Sequence, residues 1–269
     1  MAKPLLPDGL WALIEPLLPP QVRSPKGGRP PIAHRPALTG ILFVLKTGIQ
    51  WEDLPAEMGC GCGMSCWRRL RDWQLDGTWD KIHAVLLERL DDVGRIDWER
   101  AAIDSSSVRA VFGGPDVGPN PTDRGKSGSK HHLMVDGNGT PLACCVSAAN
   151  VHDVRRLLST VVACPLGRHG TAERRPERLY GDRAYGSAGH EAILRWMGIE
   201  PMFAHRNTEH GSGLGRVRYV VERTIANVHQ NRRLKVRYER RSDIHQAFLT
   251  LACVKLCWNR LPKKLKRSK

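Results

Sequence analysis

The stretch HHLMVDGNGTPLACCVSA, residues 131–148, predicts two β-strands joined by a tight turn. The runs HHLMV and PLACCVSA are short and largely apolar. Between them lies DGNGT, residues 136–140, whose Asp, Gly and Asn residues are typical of a hairpin connection. We therefore interpret Asp136 as a turn residue and expect a β-sheet in this half of the chain.

Further strands and helices are predicted on both sides of this hairpin. The strands are expected at 101–108, 177–182 and 199–204, and the helices at 150–163, 187–198, around 217–229 and at 244–261. A strand and a hairpin followed by alternating helices and strands indicate an α/β domain with a mixed sheet. We place this domain at residues 96–269 and expect its last residues, PKKLKRSK, to be a disordered basic tail.

The first 95 residues are instead predicted to form a small all-α domain. Apolar residues recur at helical spacing, and these patterns predict helices at residues 8–18, 35–48, 63–77 and 79–94. Gly48 is a typical residue for ending a helix. Five of the eight tryptophans fall in this part of the chain, which is enough to support a core of three or four helices.

The helix predicted at residues 63–77 carries a basic face. Its spacing turns Trp67, Leu70 and Trp73 inward, which leaves three arginines toward solvent: Arg68, Arg69 and Arg71. A short helix, a turn and an arginine-bearing helix resemble a helix-turn-helix, which reads DNA with its second helix. We predict DNA contact here; a solvated basic face on a structural helix bundle is the alternative.

The charge balance favours a polyanionic partner. The chain has 269 residues, with 42 Lys and Arg against 27 Asp and Glu, a net charge of +15 and a pI near 9.9. Neutralising DNA phosphates releases counterions, so nucleic acid is the simplest partner of such a chain. No apolar run approaches the roughly 20 residues of a membrane span. We expect a cytoplasmic or nucleoid-associated protein without a membrane partner.

The eight cysteines do not have the spacing of a disulfide framework. The sequence CGCGMSC, residues 60–66, offers three thiols for zinc, but no fourth ligand lies at the spacing of a zinc finger. We interpret these cysteines as free thiols beside a turn. Cys253 and Cys257 are four residues apart in an apolar helical run, which predicts that both lie in the core.

Three carboxylates are candidates for binding a metal ion. Asp104 and Asp182 are predicted at the ends of short strands, and Glu222 borders the inward stripe of a helix. That stripe consists of Val217, Val221, Thr224 and Val228. A carboxylate at the edge of a core needs a compensating cation, which is either Arg218 or a metal ion. Two aspartates and a glutamate suit a pair of Mg²⁺ ions and phosphoryl transfer.

Several longer strings resemble the DDE transposases of the IS5 insertion-sequence family. In the second half of the chain they are AAIDSSSVRA, GPNPTDRGKSGSKHHLMVDGNGTPLACCVSAANVHD, LYGDRAYGS and RYVVERTIANVHQNRRLKVRYER. In the first half, GRPP, LTGILFVLKTGIQWEDLPAEMG and CWRRLRDW resemble the helical domain that precedes the catalytic domain in that family. The resemblance covers nearly the whole chain, in order.

This resemblance implies a fold, a reaction and a metal site. The fold is an RNase H-like catalytic domain, a mixed sheet flanked by helices, preceded by a helix-turn-helix-like domain. The reaction is strand cleavage at the ends of an insertion sequence and strand transfer to target DNA. Asp104, Asp182 and Glu222 are the implied ligands of two Mg²⁺ ions, with Mn²⁺ able to substitute.

The same resemblance implies DNA contacts and a homodimer assembled on DNA. We expect the residues that hold DNA near the carboxylates to be Arg218, Arg223, Arg232 and Arg233, and we expect Lys126 and Lys130 to contact phosphate from a loop. A related IS4-type signature places Tyr, Arg, Glu and Lys at fixed intervals. Counting from Glu222, Arg218 matches this signature, whereas Gly215 and His229 occupy the Tyr and Lys positions.

Other readings of the sequence remain open. A stand-alone RNase H-like nuclease would cut DNA without joining it, and a transposase-derived DNA-binding protein would do neither. The sequence NVHD, residues 150–153, also resembles the family, but capping of the following helix explains it equally well. The hydroxyls of Ser105 to Ser107 are candidate nucleophiles, although no base is positioned beside them in the sequence.

Overall fold

The structure is a computed structural model that describes residues 4–21, 30–168, 170–204 and 214–266, with side chains described from residue 218 onward in the last range. The α-helices in these ranges are α1 (Asp8–Ile14), α2 (His34–Thr47), α3 (Gly63–Leu75), α4 (Thr78–Asp91), α5 (Val154–Val162), α6 (Ala188–Trp196), α7 (Leu214–His229) and α8 (Ser242–Arg260). The strands are β1 (Arg100–Ala110), β2 (Gly118–Pro119), β3 (Ser127–Asp136), β4 (Pro141–Ala148), β5 (Arg178–Gly181), β6 (Glu200–Phe203) and β7 (Val236–Arg237).

The β3–β4 hairpin forms as predicted, because the Asp136 side chain organises its turn. Asp136 Oδ1 accepts hydrogen bonds from the backbone N of Asn138 at 3.0 Å and of Thr140 at 2.5 Å. Gly139 has a φ of 83°, a left-handed conformation that glycine adopts at little cost. Asp136 is therefore confirmed as a turn residue.

The strands form one mixed sheet in the order β4-β3-β1-β5-β6, with β2 pairing along β3 and β7 along β1. Strand β3 is antiparallel to both β1 and β4. Strand β5 is parallel to both β1 and β6. Three antiparallel strands followed by two parallel ones, with helices packed on the sheet, are the RNase H-like arrangement, and the predicted fold class is confirmed.

Strand β1 runs from Arg100 to Ala110, slightly beyond the predicted 101–108, and Asp104 lies inside it. Its parallel pairing with β5 covers only Arg100–Ala102. Its antiparallel pairing with β3 continues from Ala101 to Arg109. Asp104 therefore lies in the middle of β1, not at a strand end as predicted, but just past the last residue that pairs with β5.

Helix α8 is the centre of the hydrophobic core. Its apolar side chains are buried around most of its circumference, because it packs against β4 on one side and against α3, α4 and α7 elsewhere. Trp51 stacks on Phe248 of α8 with ring centroids 5.8 Å apart. The buried apolar side chains on both sides of residue 95 belong to one cluster. The core thus runs continuously from the N-terminal helices into the sheet.

The N-terminal helices bury the residues that their spacing indicates. Helix α2 stops at Gly48, whose φ is 75°, as predicted. In α3, Leu70 and Trp73 are fully buried, and Trp67 packs against the core while remaining partly exposed. The arginine-bearing face of α3 is therefore directed away from the core.

Arg237 ties the end of β1 to the loop that follows it. The side chain is 1% exposed, and its Nη1 donates to Asp116 O at 3.0 Å and to Ser129 Oγ at 2.8 Å. Its Nη2 donates to Pro115 O at 2.7 Å, and its Nε donates to Glu239 O at 2.8 Å. A buried guanidinium with so many acceptors is fully compensated for its lost hydration.

A second buried polar chain joins α7, β3 and α8. His131 Nδ1 lies 3.1 Å from His229 Nε2, and His131 Nε2 lies 2.7 Å from His245 Nε2. His245 Nδ1 in turn lies 3.3 Å from Glu239 Oε2. Burial lowers the pKa of His131 and of His245. These imidazoles are therefore neutral donors and acceptors inside the protein near pH 7.

The cysteines in the described ranges are free thiols. Cys60 and Cys66 are buried, and Cys66 Sγ donates to Cys60 O at 3.3 Å, whereas Cys62 is exposed. Cys253 and Cys257 are fully buried, as predicted. The basic C-terminal segment departs from expectation, because Lys263–Lys266 form a turn of 3₁₀-helix; residues 267–269 lie outside the described residues. No helix in the described part of the chain is long and apolar enough to cross a membrane.

Gly63→Ala is expected to destabilise the protein by about 1–3 kcal/mol, the typical cost of overpacking. Gly63 begins α3, and a Cβ there would overlap the carbonyl oxygen of Trp51. Gly189→Ala in the first turn of α6 is the matched control, because nothing lies within 4 Å of its Cβ position. The control should raise stability by about 0.5–1 kcal/mol. Urea unfolding measures both variants, and equal effects would contradict the expectation.

The protein is expected to lose stability as the pH falls from 7.5 to 5.5. His83, His131 and His245 are fully buried, and burial lowers the pKa of each. Below pH 6.5 the unfolded chain binds protons that the folded protein does not, so each histidine contributes a loss of up to about 1.4 kcal/mol per pH unit.

His83→Gln tests this pH dependence, because Gln retains a donor for Pro141 O, which His83 Nε2 contacts at 2.9 Å. Urea unfolding at pH 5.5 and pH 7.5 should show a difference between the two pH values that is about 1 kcal/mol smaller in the variant. An unchanged difference would show that His83 does not contribute to the pH dependence.

Candidate active site

Asp104 lies at the centre of the sheet, on β1, with its side chain 18% exposed. Its Oδ1 accepts a hydrogen bond from the backbone N of Ser105 at 2.8 Å. Burial raises the pKa of Asp104 to about 6; the Ser105 amide and Arg218 lower it, while the carboxylates of Asp182 and Glu222 raise it further. The ionised form therefore needs a nearby cation.

Asp182 follows β5 directly and comes into register with Asp104. Ala102 of β1 pairs with Tyr180 of β5 in parallel, so the residues two positions further along the two strands are Asp104 and Asp182. Asp182 also caps the 3₁₀ turn Arg183–Tyr185, where its Oδ1 accepts from Ala184 N at 2.9 Å. The sheet thus presents two carboxylates at the point where β1 and β5 cease to pair.

Glu222 is brought to these aspartates by α7, which packs against β1, β3 and β5. Val221, Thr224 and Val228 are buried as predicted; the side chain of Val217 lies outside the described residues. Glu222 itself is 56% exposed, so the predicted position at the edge of the core is wrong. One residue further along a helix is a rotation of 100°, which turns Glu222 from the buried stripe toward solvent.

Arg218 lies between the carboxylates. Its Nη2 is 3.7 Å from Asp104 Oδ2 and 4.0 Å from Glu222 Oε1. Both distances exceed those of ordinary hydrogen bonds. Its Nε is buried and has no hydrogen-bond partner among the described residues. The guanidinium therefore lies between two of the three acids without a hydrogen bond to either of them.

The carboxylates are chemically suited to a hard divalent cation. Oxygen donors from Asp and Glu are the ligands that Mg²⁺ and Mn²⁺ prefer. Burial is the main cause that raises the pKa of Asp104, so a nearby cation would stabilise its ionised form. Within the described ranges, no three metal-ligating side chains already converge closely enough to hold an ion. The guanidinium of Arg218 stands between Asp104 and Glu222 and supplies part of the positive charge that they need.

Asp153 lies beside this site, and sequence reasoning missed its role. It precedes α5 but makes no side-chain capping bond, so the capping interpretation of NVHD is wrong for Asp153. Its Oδ1 instead accepts from Ser105 Oγ at 2.8 Å and from Lys130 Nζ at 2.9 Å. The NVHD motif was the available signal, but its partners lie 48 and 23 residues away in the chain.

Lys130 and Arg233 do not occupy the positions expected of DNA contacts. Lys130 lies in β3, not in a loop, and its side chain is 13% exposed in its pair with Asp153. The Arg233 side chain is 7% exposed, and its Nε donates to Glu239 Oε1 at 2.6 Å while Nη1 donates to Ile49 O at 2.8 Å. Each cation compensates a buried carboxylate, and this position does not suit contact with a phosphate.

The other basic candidates lie at or near the surface. Lys126 is exposed and pairs with Asp123 at 3.3 Å. Arg71 pairs with Asp72 at 2.6 Å and stacks on Trp67. The exposed arginines among the candidates are Arg68, Arg223 and Arg232, and Arg69 is partly exposed. His229, at the Lys position of the IS4-type signature, contacts His131 inside the protein.

Two family descriptions match successive parts of the chain. Residues 6–83 match "Putative transposase of IS4/5 family", and residues 99–257 match "Transposase DDE domain". The second match alone covers more than half of the chain.

Two relatives from Burkholderia cepacia support the same family. A "Putative transposase for insertion sequence element IS402" is 55% identical over 152 residues, which are 56% of this chain and 72% of the relative. An "Insertion element IS402 uncharacterized 16.2 kDa protein" is 60% identical over 123 residues, which are 45% of this chain and 84% of that protein.

Solved structures show weaker likeness. The catalytic core domain of BIV integrase is 11% identical with a TM-score of 0.33, covering 57% of this chain and 83% of that chain. The Mos1 strand transfer complex is 11% identical with a TM-score of 0.28, covering 88% and 81%. TM-scores this low carry no weight in the assignment. On the two family matches and the two relatives, the chain belongs to the DDE transposases of the IS4/5 family.

Proposed function

We propose that this transposase cuts DNA at the ends of its insertion sequence and joins the resulting 3′-hydroxyl ends to target DNA, in metal-dependent steps. The observation that supports this most is the register of β1 and β5, which sets Asp104 beside Asp182. Glu222 is close enough for its charge to raise the pKa of Asp104. These three carboxylates, in a protein with a net charge of +15, suit phosphoryl transfer on a polyanion.

Asp104, Asp182 and Glu222 are the proposed ligands of two Mg²⁺ ions, with Mn²⁺ able to replace them. Such ions, when bound, supply activation of a water or a 3′-hydroxyl and stabilisation of the leaving oxygen. The two aspartates are held by backbone amides on one oxygen each, which leaves their other oxygens for the ions. Glu222 is exposed on α7 and completes the site from the helix side.

Arg218 is proposed to contact the DNA phosphate nearest the carboxylates. Its Nη2 lies farther than hydrogen-bond distance from Asp104 and Glu222, and its side chain is 23% exposed. Donors therefore remain for a phosphate oxygen, which a guanidinium binds in a fixed fork geometry. We further propose that Arg223 and Arg232, both exposed, hold the backbone on either side.

Residues 1–95 are proposed to bind the element ends and residues 96–269 to carry the reaction. Arg68 and Arg69 on α3, assisted by Arg71 and by Lys126 in the catalytic part, are the proposed phosphate contacts. Because pairing two DNA ends requires more than one active site, we propose a homodimer that assembles on DNA. Inverted repeats in the DNA that flanks the gene would identify the ends.

Glu222→Gln is expected to abolish cleavage of labelled end DNA in Mg²⁺ while leaving DNA binding intact. Gln keeps the size of the side chain and removes the charge that a metal ion needs. Glu200→Gln is the matched control, because Glu200 is 54% exposed, like Glu222, and also pairs with an arginine, Arg195 at 3.4 Å. The control should cut like the wild type.

A strand-transfer assay with the same DNA separates the three functions. Joined product supports a transposase, nicks without joining support a nuclease, and binding without either supports a non-catalytic DNA-binding protein. If Glu222→Gln cuts like the wild type, Glu222 is only the ion-pair partner of Arg218, and the site assignment is wrong.

Replacing Arg68 and Arg69 together by Ala is expected to weaken binding of end DNA and to reduce its salt dependence. Two lost phosphate contacts should lower the slope of log K against log salt by about 2. Arg89→Ala, an exposed arginine on α4, is the control and should leave the slope unchanged. Fluorescence anisotropy at several salt concentrations measures the slope; equal slopes in all three proteins would remove α3 from the DNA interface.

A further inference from the structure

The two oxygens of Asp104 are in different surroundings. Oδ1 accepts the backbone N–H of Ser105 at 2.8 Å, and Oδ2 faces Arg218 Nη2 at 3.7 Å. The direction of the carboxylate therefore depends on where the Ser105 amide is held. The ladder between β1 and β3 fixes part of this backbone, since Ser105 is paired with His132.

The Ser105 side chain is fixed by a partner from another element. Its Oγ donates to Asp153 Oδ1 at 2.8 Å, and Asp153 lies just before α5. The same oxygen accepts from Lys130 Nζ on β3 at 2.9 Å. Lys130 Nζ also donates to Val151 O at 2.9 Å, so the ammonium holds the loop that delivers Asp153. Three separate parts of the chain thus meet behind Asp104.

This cluster is too well buried to be a surface ion pair. The side chains of Asp153 and Lys130 are 18% and 13% exposed. His132, whose Nδ1 is 3.9 Å from Asp153 Oδ1, is fully buried. Its Nδ1 lacks a hydrogen-bond partner among the described residues. Removing two charges from water costs several kcal/mol, and a simple helix cap at Asp153 would not require a buried lysine.

We propose that Asp153 and Lys130 are positioning residues that hold Ser105 and, through its backbone amide, orient the Asp104 carboxylate for metal binding. Partners of this kind, one step behind a ligand, fix its direction and raise its affinity. The proposal rests on the proposed function, because it takes Asp104 as a metal ligand. It replaces the expectation that Lys130 binds DNA phosphate.

The test is a titration of the DNA-free, full-length protein with Mn²⁺ alone. Electron paramagnetic resonance measures the free Mn²⁺ at each point and so gives the binding affinity. Ser105→Ala and Asp153→Asn should each weaken Mn²⁺ binding by about 10-fold to 100-fold. Ser105→Thr keeps the hydroxyl and should restore most of the affinity. Asp123→Asn, in a surface pair with Lys126, is the matched control and should bind Mn²⁺ like the wild type.

Unfolding of each variant in EDTA separates positioning from stability. Ser105→Ala removes one hydroxyl, and its unfolding temperature should lie within a few degrees of that of the wild type. If Asp153→Asn does not fold, the comparison of Ser105→Ala with Ser105→Thr still tests the proposal. Wild-type Mn²⁺ affinity in Ser105→Ala would overturn the proposal. Loss of affinity in Ser105→Thr equal to that in Ser105→Ala would also overturn it, because the hydroxyl would then not be the cause.

Two further variants distinguish failure of this proposal from failure of the proposed function. Asp104→Asn should abolish Mn²⁺ binding; if it does and Ser105→Ala does not, the metal site stands and the positioning role is wrong. If Asp104→Asn binds Mn²⁺ like the wild type, the metal site itself is wrong. Lys130→Met should leave the salt dependence of DNA binding unchanged, and a slope lower by about 0.9 would make Lys130 a phosphate contact and overturn the proposal.

Discussion

The short parallel pairing of β1 with β5 is the constraint on which the site depends. It ends at Ala102 and Tyr180, whereas β1 continues beside β3 for seven more residues, to Arg109. Beyond the last parallel pair, one side of β1 has no neighbouring strand from β5. Asp104 and Asp182 lie in register just past this last pair. Helix α7 packs on β1, so the charge of Glu222 acts on Asp104. The backbone pairing therefore sets the carboxylates side by side.

Charge compensation then determines what surrounds the carboxylates. Three acids in a partly buried site repel one another, and burial already disfavours the ionised form of Asp104. Arg218 supplies one positive charge beside Asp104 and Glu222. Next to Ser105, Asp153 and Lys130 form a neutral pair that adds hydrogen bonds without adding net charge. Arg218 thus offsets part of the negative charge of the acids, and the proposed metal ions would offset the rest.

The excess of basic residues has two different uses in this chain. Arg237 and Arg233 are buried and satisfy backbone carbonyls and a carboxylate. They therefore join the segment around β7 to the loop after β1 and to the loop after α2. Arg68, Arg223 and Arg232 are exposed and remain available to a polyanion. Because the hydrophobic core is continuous from the N-terminal helices to α8, the arginine face of α3 is fixed relative to the sheet.

The sequence by itself determined the features that depend on neighbouring residues. The hairpin turn at Asp136, the helix end at Gly48 and the buried stripe of α7 follow from local backbone preferences and side-chain spacing. Family resemblance added the identity of the three acids. Only the tertiary structure decided which residues face one another across the chain.

Strand β1 extends past Asp104 because β3 pairs with it there. Asp153 accepts hydrogen bonds from Ser105 and Lys130 and does not cap a helix as predicted. Arg233 is buried because Glu239 and Ile49 O meet it inside the protein. A one-dimensional pattern shows what a residue prefers locally. It does not contain the long-range contacts whose hydrogen bonds and burial outweigh that preference.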